Sequence, residues 1–99
     1  MSNNIPGPAF WQRVDAVVNV ANDQCDDATA NEVAASTLFA AARFNAFLLA
    51  KGTGNAENMK GEREEALEYF MAQFRGMMSA NLDDFIANYD RYIQPDPQQ

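Results

Sequence analysis

Residues 29–52, TANEVAASTLFAAARFNAFLLAKG, decide the fold class because they join a helix start signal to a long apolar run. Thr29 and Glu32 have the spacing of a capping box, in which the hydroxyl accepts from a helical N–H and the carboxylate reaches back. Apolar residues then recur every three or four positions to about Lys51, which is the period of an α-helix. Gly52 follows, where glycine most easily adopts the left-handed conformation that ends a helix. The stretch predicts one long helix.

Three other stretches have the same helical period. Residues 8–25 predict a first helix that starts with a proline, which is tolerated in a first turn because its N–H would have no partner there. Asn55 predicts the N-cap of a third helix that ends near residue 78. Asn81 predicts the N-cap of a fourth helix over residues 82–93, with acidic residues in its first turn.

The pattern as a whole predicts a single all-α domain. No strand-like alternation and no internal repeat is visible in the 99 residues. Helices joined by short loops favour antiparallel packing, so we expect a compact four-helix bundle-like domain over residues 9–93 with a core rich in aromatic side chains. Residues 1–8 and 94–99 are rich in proline and polar residues, and we expect both ends to be disordered.

The composition excludes several classes of function. The chain has no histidine, one cysteine and a net charge of −7. Histidine-based catalysis and a disulfide within the chain are therefore excluded, and a cysteine metal cluster is nearly so. The acidic balance disfavours nucleic acid and anionic membranes as partners. We expect no cofactor and no enzymatic activity.

The location is predicted from the same features. The first residues lack the basic and apolar regions of a signal peptide, and no stretch is expected to reach the roughly 20 apolar residues of a membrane span. The single cysteine, Cys25, fits a reducing compartment, and we expect it to be a small buried apolar residue. The prediction is a cytoplasmic protein.

Four strings together resemble one family. FWQRVDAVVNVAN (10–22), AARFNAF (41–47), EREEALEYF (62–70) and NLDDFIANYDRY (81–92) resemble a bacterial family of small helical proteins catalogued as domain of unknown function 3144. The likeness spans about residues 9–93. It implies a cytoplasmic all-helical protein and brings no activity, so no catalytic residue is carried over.

The second helix is apolar around much of its circumference. Leu38, Phe39 and Leu49 lie partly outside its main stripe, and a helix of this kind has a second face covered by something else. We expect these residues to form an interaction surface for a protein partner or for a second copy, which would make a homodimer. The alternative is that the stripe is broader and packs in the core.

Arg43 stands inside this apolar helix and predicts an ion pair. An unpaired buried cation is very costly, so Arg43 is expected to meet a carboxylate, and the candidates are Asp83, Asp84 and Asp90. The alternative is a pocket for a small anion or metabolite around Arg43 and Tyr89.

The acidic residues of the third helix allow one enzymatic alternative. Glu64, Glu65 and Glu68, followed by Asp84, faintly resemble the helix carboxylates that hold magnesium in all-helical nucleotide pyrophosphohydrolases, because Mg²⁺ prefers oxygen ligands. Asn81 stands where that pattern has a glutamate, and no basic cluster follows to hold phosphates. A glutamate run is more often a solvated helix face.

Overall fold

The computed structural model describes residues 6–93 and contains four helices. These are α1 (Pro8–Gln24), α2 (Ala30–Thr53), α3 (Ala56–Ala87) and α4 (Tyr89–Ile93). The described residues contain no strand. The all-α, four-helix prediction is confirmed. The expected disorder of residues 1–8 and 94–99 falls mostly outside the described residues, apart from Pro6, Gly7 and Pro8.

The chain divides into two units, Met1–Gly52 and Thr53–Gln99. The first unit carries α1 and nearly all of α2, and the second carries α3 and α4. The expectation of a single domain over residues 9–93 stays a prediction.

Three of the four predicted helix starts are confirmed at atomic detail. The Thr29 hydroxyl accepts from the Glu32 N–H at 3.2 Å, and a Glu32 carboxylate oxygen accepts from the Thr29 N–H at 3.0 Å. The Asn55 side chain accepts from the Asn58 N–H at 2.8 Å and caps α3. Pro8 opens α1, as expected. These contacts form because capping needs only the residues of one turn.

The end of α2 differs from the expectation. The helix continues through Gly52 to Thr53, and the left-handed residue is Gly54, with φ of 86°. Gly52 therefore does not end the helix. The second glycine takes this conformation because it lacks the Cβ that would clash there.

The division between the third and fourth helices was predicted wrongly. α3 runs without interruption to Ala87, and α4 comprises only the five residues Tyr89–Ile93. The Asn81 side chain does not cap a helix start; its amide donates to the Met77 carbonyl one turn back at 2.8 Å. No glycine or proline separates residue 78 from residue 82, so nothing in the backbone stops the helix there.

The predicted core is largely exposed. Among the described residues, Val33 is the one that is buried, whereas large apolar side chains along α1, α2 and α3 retain more than a third of their exposure. A helix cannot cover its own apolar face, so these faces remain exposed among the residues that the structure describes. Cys25 is also exposed, and its expected burial is wrong, because it follows the last residue of α1 in the turn before α2.

Candidate interaction surface

Two of the three predicted interaction residues are exposed on α2. Leu38 is 55% exposed and Phe39 is 63% exposed, whereas Leu49 is half-buried. Leu38 and Leu49 are eleven residues apart, which is close to three helical turns, so they share one side of the helix. Phe39 lies about a quarter turn away from them. The three residues therefore border a broad apolar surface.

A shallow groove lies beside Phe39. It is lined by Phe39, Ala42, Arg43, Ala46 and Phe47. The two alanines are small and lie one turn apart, between phenylalanine rings two turns apart. Residues at positions i, i+3, i+4 and i+7 form the hole that receives a side chain from a packed helix, and the first four groove residues have this spacing. We call these five residues the α2 groove.

The cations of α2 lie against its aromatic rings. The Arg43 guanidinium carbon is 5.1 Å from the centroid of the Phe39 ring, and the Lys51 ammonium is 5.7 Å from that of Phe47. These distances fit cation–π contacts, which are strengthened when water is removed. Arg43 therefore contributes both its apolar stem and its charged guanidinium to the side of the α2 groove.

Two other polar side chains of α2 each make a hydrogen bond within the helix. The Asn45 amide donates to the Ala41 carbonyl at 2.8 Å, and the Ser36 hydroxyl donates to the Glu32 carbonyl at 3.0 Å. A partner that covers these two groups need not break these hydrogen bonds. The surface is chemically suited to be covered.

α2 also has the length and composition of a membrane-spanning helix. An 18-residue window within Ala30–Thr53 has a mean hydropathy of 1.5, and α2 is the one helix of the described part that passes this test. The expectation that no stretch approaches a span is therefore wrong for α2. The central helix of a soluble protein passes the same test.

The residues of the predicted ion pair belong to different units. Arg43 is exposed on α2, Asp83 and Asp84 lie on α3, and Asp90 lies on α4. Asp84 has local partners: its carboxylate accepts from the Asn88 amide at 2.8 Å and from the Tyr92 hydroxyl at 2.9 Å. The pairing of Arg43 with an acid stays a prediction.

A polar and aromatic corner lies where α3 meets α4. It is formed by Asp84, Phe85, Asn88 and Tyr92. The Asn88 N–H donates to the Asp84 carbonyl at 3.0 Å, and the rings of Phe85 and Tyr92 are 4.6 Å apart. The hydrogen bond to Asp84 and the charge of its carboxylate raise the pKa of the Tyr92 phenol above its usual 10.0. This corner was not predicted, although the spacing of Asp84, Asn88 and Tyr92 at intervals of four residues indicates one helix face.

The magnesium alternative is not supported by the geometry of α3. Glu68 and Asp84 belong to one continuous helix, sixteen residues apart, which places them about 24 Å from each other along its axis. They cannot ligate the same ion within one chain. The described residues contain no group of three acidic or sulfur ligands suited to a metal. Glu64 instead pairs with Arg63 at 2.6 Å on the exposed surface.

The residues of the anion-pocket alternative are likewise divided between the units. Tyr89 lies on α4, whereas Arg43 lies on α2. The Tyr92 hydroxyl donates a hydrogen bond to the Asp84 carboxylate, and the centroids of the Tyr69 and Phe70 rings are 5.2 Å apart. A pocket around Arg43 and Tyr89 stays a prediction.

Comparison with known proteins identifies the family. Residues 10–86 match the model of a family described as protein of unknown function DUF3144. The chain belongs to this family. The matched region begins in α1, includes all of α2 and ends one residue before the end of α3. No curated protein and no solved structure is significantly similar to the chain.

Proposed function

We propose that this member of the DUF3144 family is a non-enzymatic, acidic, cytoplasmic protein-interaction module that binds through the α2 groove. The observation that carries this proposal is an exposed apolar groove on a helix whose polar side chains Asn45 and Ser36 hydrogen-bond to the backbone of the same helix. Such a surface loses little when it is covered and gains from the removal of apolar area from water.

The gain from covering one residue is substantial. Phe39 is 63% exposed. Covering it would remove roughly 120 Å² of apolar surface from water, which contributes about 3 kcal/mol. Leu38, which is 55% exposed, adds a somewhat smaller amount. A few such residues are enough to supply the central energy of a protein interface.

A protein fits this surface better than a lipid bilayer does. Arg43 lies near the middle of α2, where a charge costs about 2.5–3.5 kcal/mol in a membrane-spanning helix. A protein partner can place a carboxylate beside it and offset that cost. The exposed free thiol of Cys25 is compatible with the reducing cytoplasm.

Photo-crosslinking in cells tests the proposal. Ala35 lies one turn before Phe39 on the same side of α2 and is exposed. A photoreactive benzoylphenylalanine at position 35 is expected to give an adduct with a protein, and the mass of the adduct identifies whether the partner is a second 11.0 kDa chain or another protein.

Matched variants make the result specific to the α2 groove. Adding Phe39→Ser should abolish the adduct, whereas Val20→Ser should leave it intact, because Val20 is 60% exposed on α1 and outside the groove. An absent adduct, or one that persists in Phe39→Ser, would refute the proposed function.

A further inference from the structure

We propose that the α2 groove receives α3 of a second copy of this chain, with Ile86 seated in the groove and Asp83 beside Arg43. This inference rests on the proposed function and names the partner of the same surface. It follows from two exposed surfaces whose apolar and charged groups complement each other.

The first surface, the α2 groove, combines an apolar floor with one cation. Ala42 and Ala46 leave room for a branched side chain between the two phenylalanine rings. Arg43 lies at the side of that space with its guanidinium over the Phe39 ring. The occupant that fits is an apolar side chain with a carboxylate one turn away.

The second surface is the exposed Ile86 of α3, with the exposed Leu82 one turn before it. Ile86 is 74% exposed, the highest value among the large apolar residues described. Because α3 is continuous, Ile86 lies eighteen residues, or five turns, from Glu68 and on the same side of the helix. It therefore stands on the charged side of α3 and not on the apolar stripe that includes Phe70 and Phe74.

Asp83 is the acid that accompanies Ile86. The two residues are three positions apart and are neighbours on the surface of α3. Asp84 lies about a quarter turn further round and is engaged by Asn88 and Tyr92. Ile86 and Asp83 together therefore present the apolar group and the carboxylate that fit the α2 groove.

The charge distribution also favours a second copy. α2 contains Glu32, Arg43 and Lys51, so its net charge is +1. The whole chain carries −7, so the rest of it carries −8. Two copies can therefore place the one cationic helix of each against an acidic helix of the other, despite their like net charges.

The helix lengths favour pairing between two chains over pairing within one. Arg43 lies ten residues before the end of α2, about 15 Å along its axis. Asp83 lies twenty-seven residues after the start of α3, about 40 Å along its axis. A short link joins the two helices, and the two side chains together span only about 10 Å. A second copy removes this restriction.

The area available is in the range that a dimer requires. Five apolar residues in or beside the two surfaces are more than half exposed and supply roughly 500 Å² per chain; they are Leu38, Phe39, Phe47, Leu82 and Ile86. A stable interface takes about 800 Å² from each partner, and the rim of a helix–helix contact supplies the remainder. In a two-fold dimer each chain gives one groove and one Ile86, so the contact forms twice.

A charge exchange between chains tests the proposal. Arg43→Glu and Asp83→Arg each place like charges at both contacts, and each alone is expected to weaken dimerisation about tenfold or more, as measured by light scattering over a concentration series. In an equimolar mixture, the groove of the Arg43→Glu chain meets α3 of the Asp83→Arg chain with opposite charges, and the other contact is native. Dimerisation should return to within about threefold of the wild type.

Control variants separate this contact from the effect of net charge. Arg13→Glu and Asp15→Arg on α1 change the net charge by the same amounts and should leave dimerisation unchanged, within about threefold, alone and mixed. Ile86→Ser should weaken dimerisation without changing the charge. Circular dichroism checks that helicity is retained, and Arg43→Gln and Asp83→Asn replace any variant that loses it.

Three outcomes would overturn this inference. The first is recovery only when both changes are in the same chain, which would place the pair within one molecule. The second is no loss of dimerisation in the single variants, and the third is a wild-type monomer at every concentration. A crosslink from position 35 to a different protein, together with a wild-type monomer, would leave the proposed function standing while this inference fails.

Discussion

At the scale of single residues, three glycines affect the helices in two opposite ways. Gly61 and Gly76 lie inside α3, and a methyl group at either position would meet no neighbouring atom within 4 Å. Gly54 has φ of 86°, a conformation that side chains with a Cβ rarely adopt. The first two therefore weaken their helix, whereas the third ends one.

Gly76→Ala should stabilise the protein by about 1 kcal/mol, because alanine loses less backbone entropy in a helix. Gly54→Ala should destabilise it by about 1–2 kcal/mol through strain in the left-handed conformation. Thermal unfolding followed by circular dichroism, at one fixed protein concentration, measures both. A loss of stability in Gly76→Ala would mean that another helix packs closely at that position.

At the scale of elements, the corner between α3 and α4 couples helix geometry to the ionisation of Tyr92. The phenol donates a hydrogen bond to Asp84, and ionisation removes that bond and adds repulsion. The folded pKa is raised above 10.0, so protonated Tyr92 favours the folded corner below that pH. This contribution is lost as pH rises through the folded pKa.

The difference between the phenolate absorbance titrations of wild type and Tyr92→Phe should give a pKa for Tyr92 above 10.0. Asp84→Asn should lower that pKa toward the ordinary value, because it removes the negative charge that opposes ionisation. Asp83→Asn is the matched control and should leave it in place. An unchanged titration in Asp84→Asn would show that the corner does not hold Tyr92.

The sequence predicted those features that depend on a few adjacent residues. The caps at Thr29 and Asn55 were predicted because each needs only one turn of chain. The length of α3 was not, because Asn81 is compatible both with an N-cap and with a bond to the carbonyl one turn back, and the residues around it favour neither.

The candidate site was predicted in part for the same reason. Leu38 and Phe39 were expected on a surface because they lie outside the main apolar stripe of α2, and both are exposed. Ile86 was not recognised, because its position on the charged side of α3 depends on α3 being one helix from Glu68 onward. The α2 groove also requires coordinates, since it is formed by the spacing of rings and alanines.

At the scale of the whole molecule, the exposed apolar surface is the feature that needs an explanation. Val33 is the one buried residue of the described part, while rings and branched side chains line the outside of three helices. Folded proteins are stabilised by only about 5–15 kcal/mol, and most of the favourable term comes from apolar burial. Association supplies that burial when a single chain leaves its faces unpartnered.

The most direct test is the mass of the wild-type protein in solution, measured by light scattering after size exclusion over a series of concentrations. We predict a mass near twice 11.0 kDa that falls toward that of a single chain on dilution. Phe39→Ser should lower the mass in the same way, and Val20→Ser should not. A mass of 11.0 kDa at every concentration would contradict the association of two copies through the α2 groove.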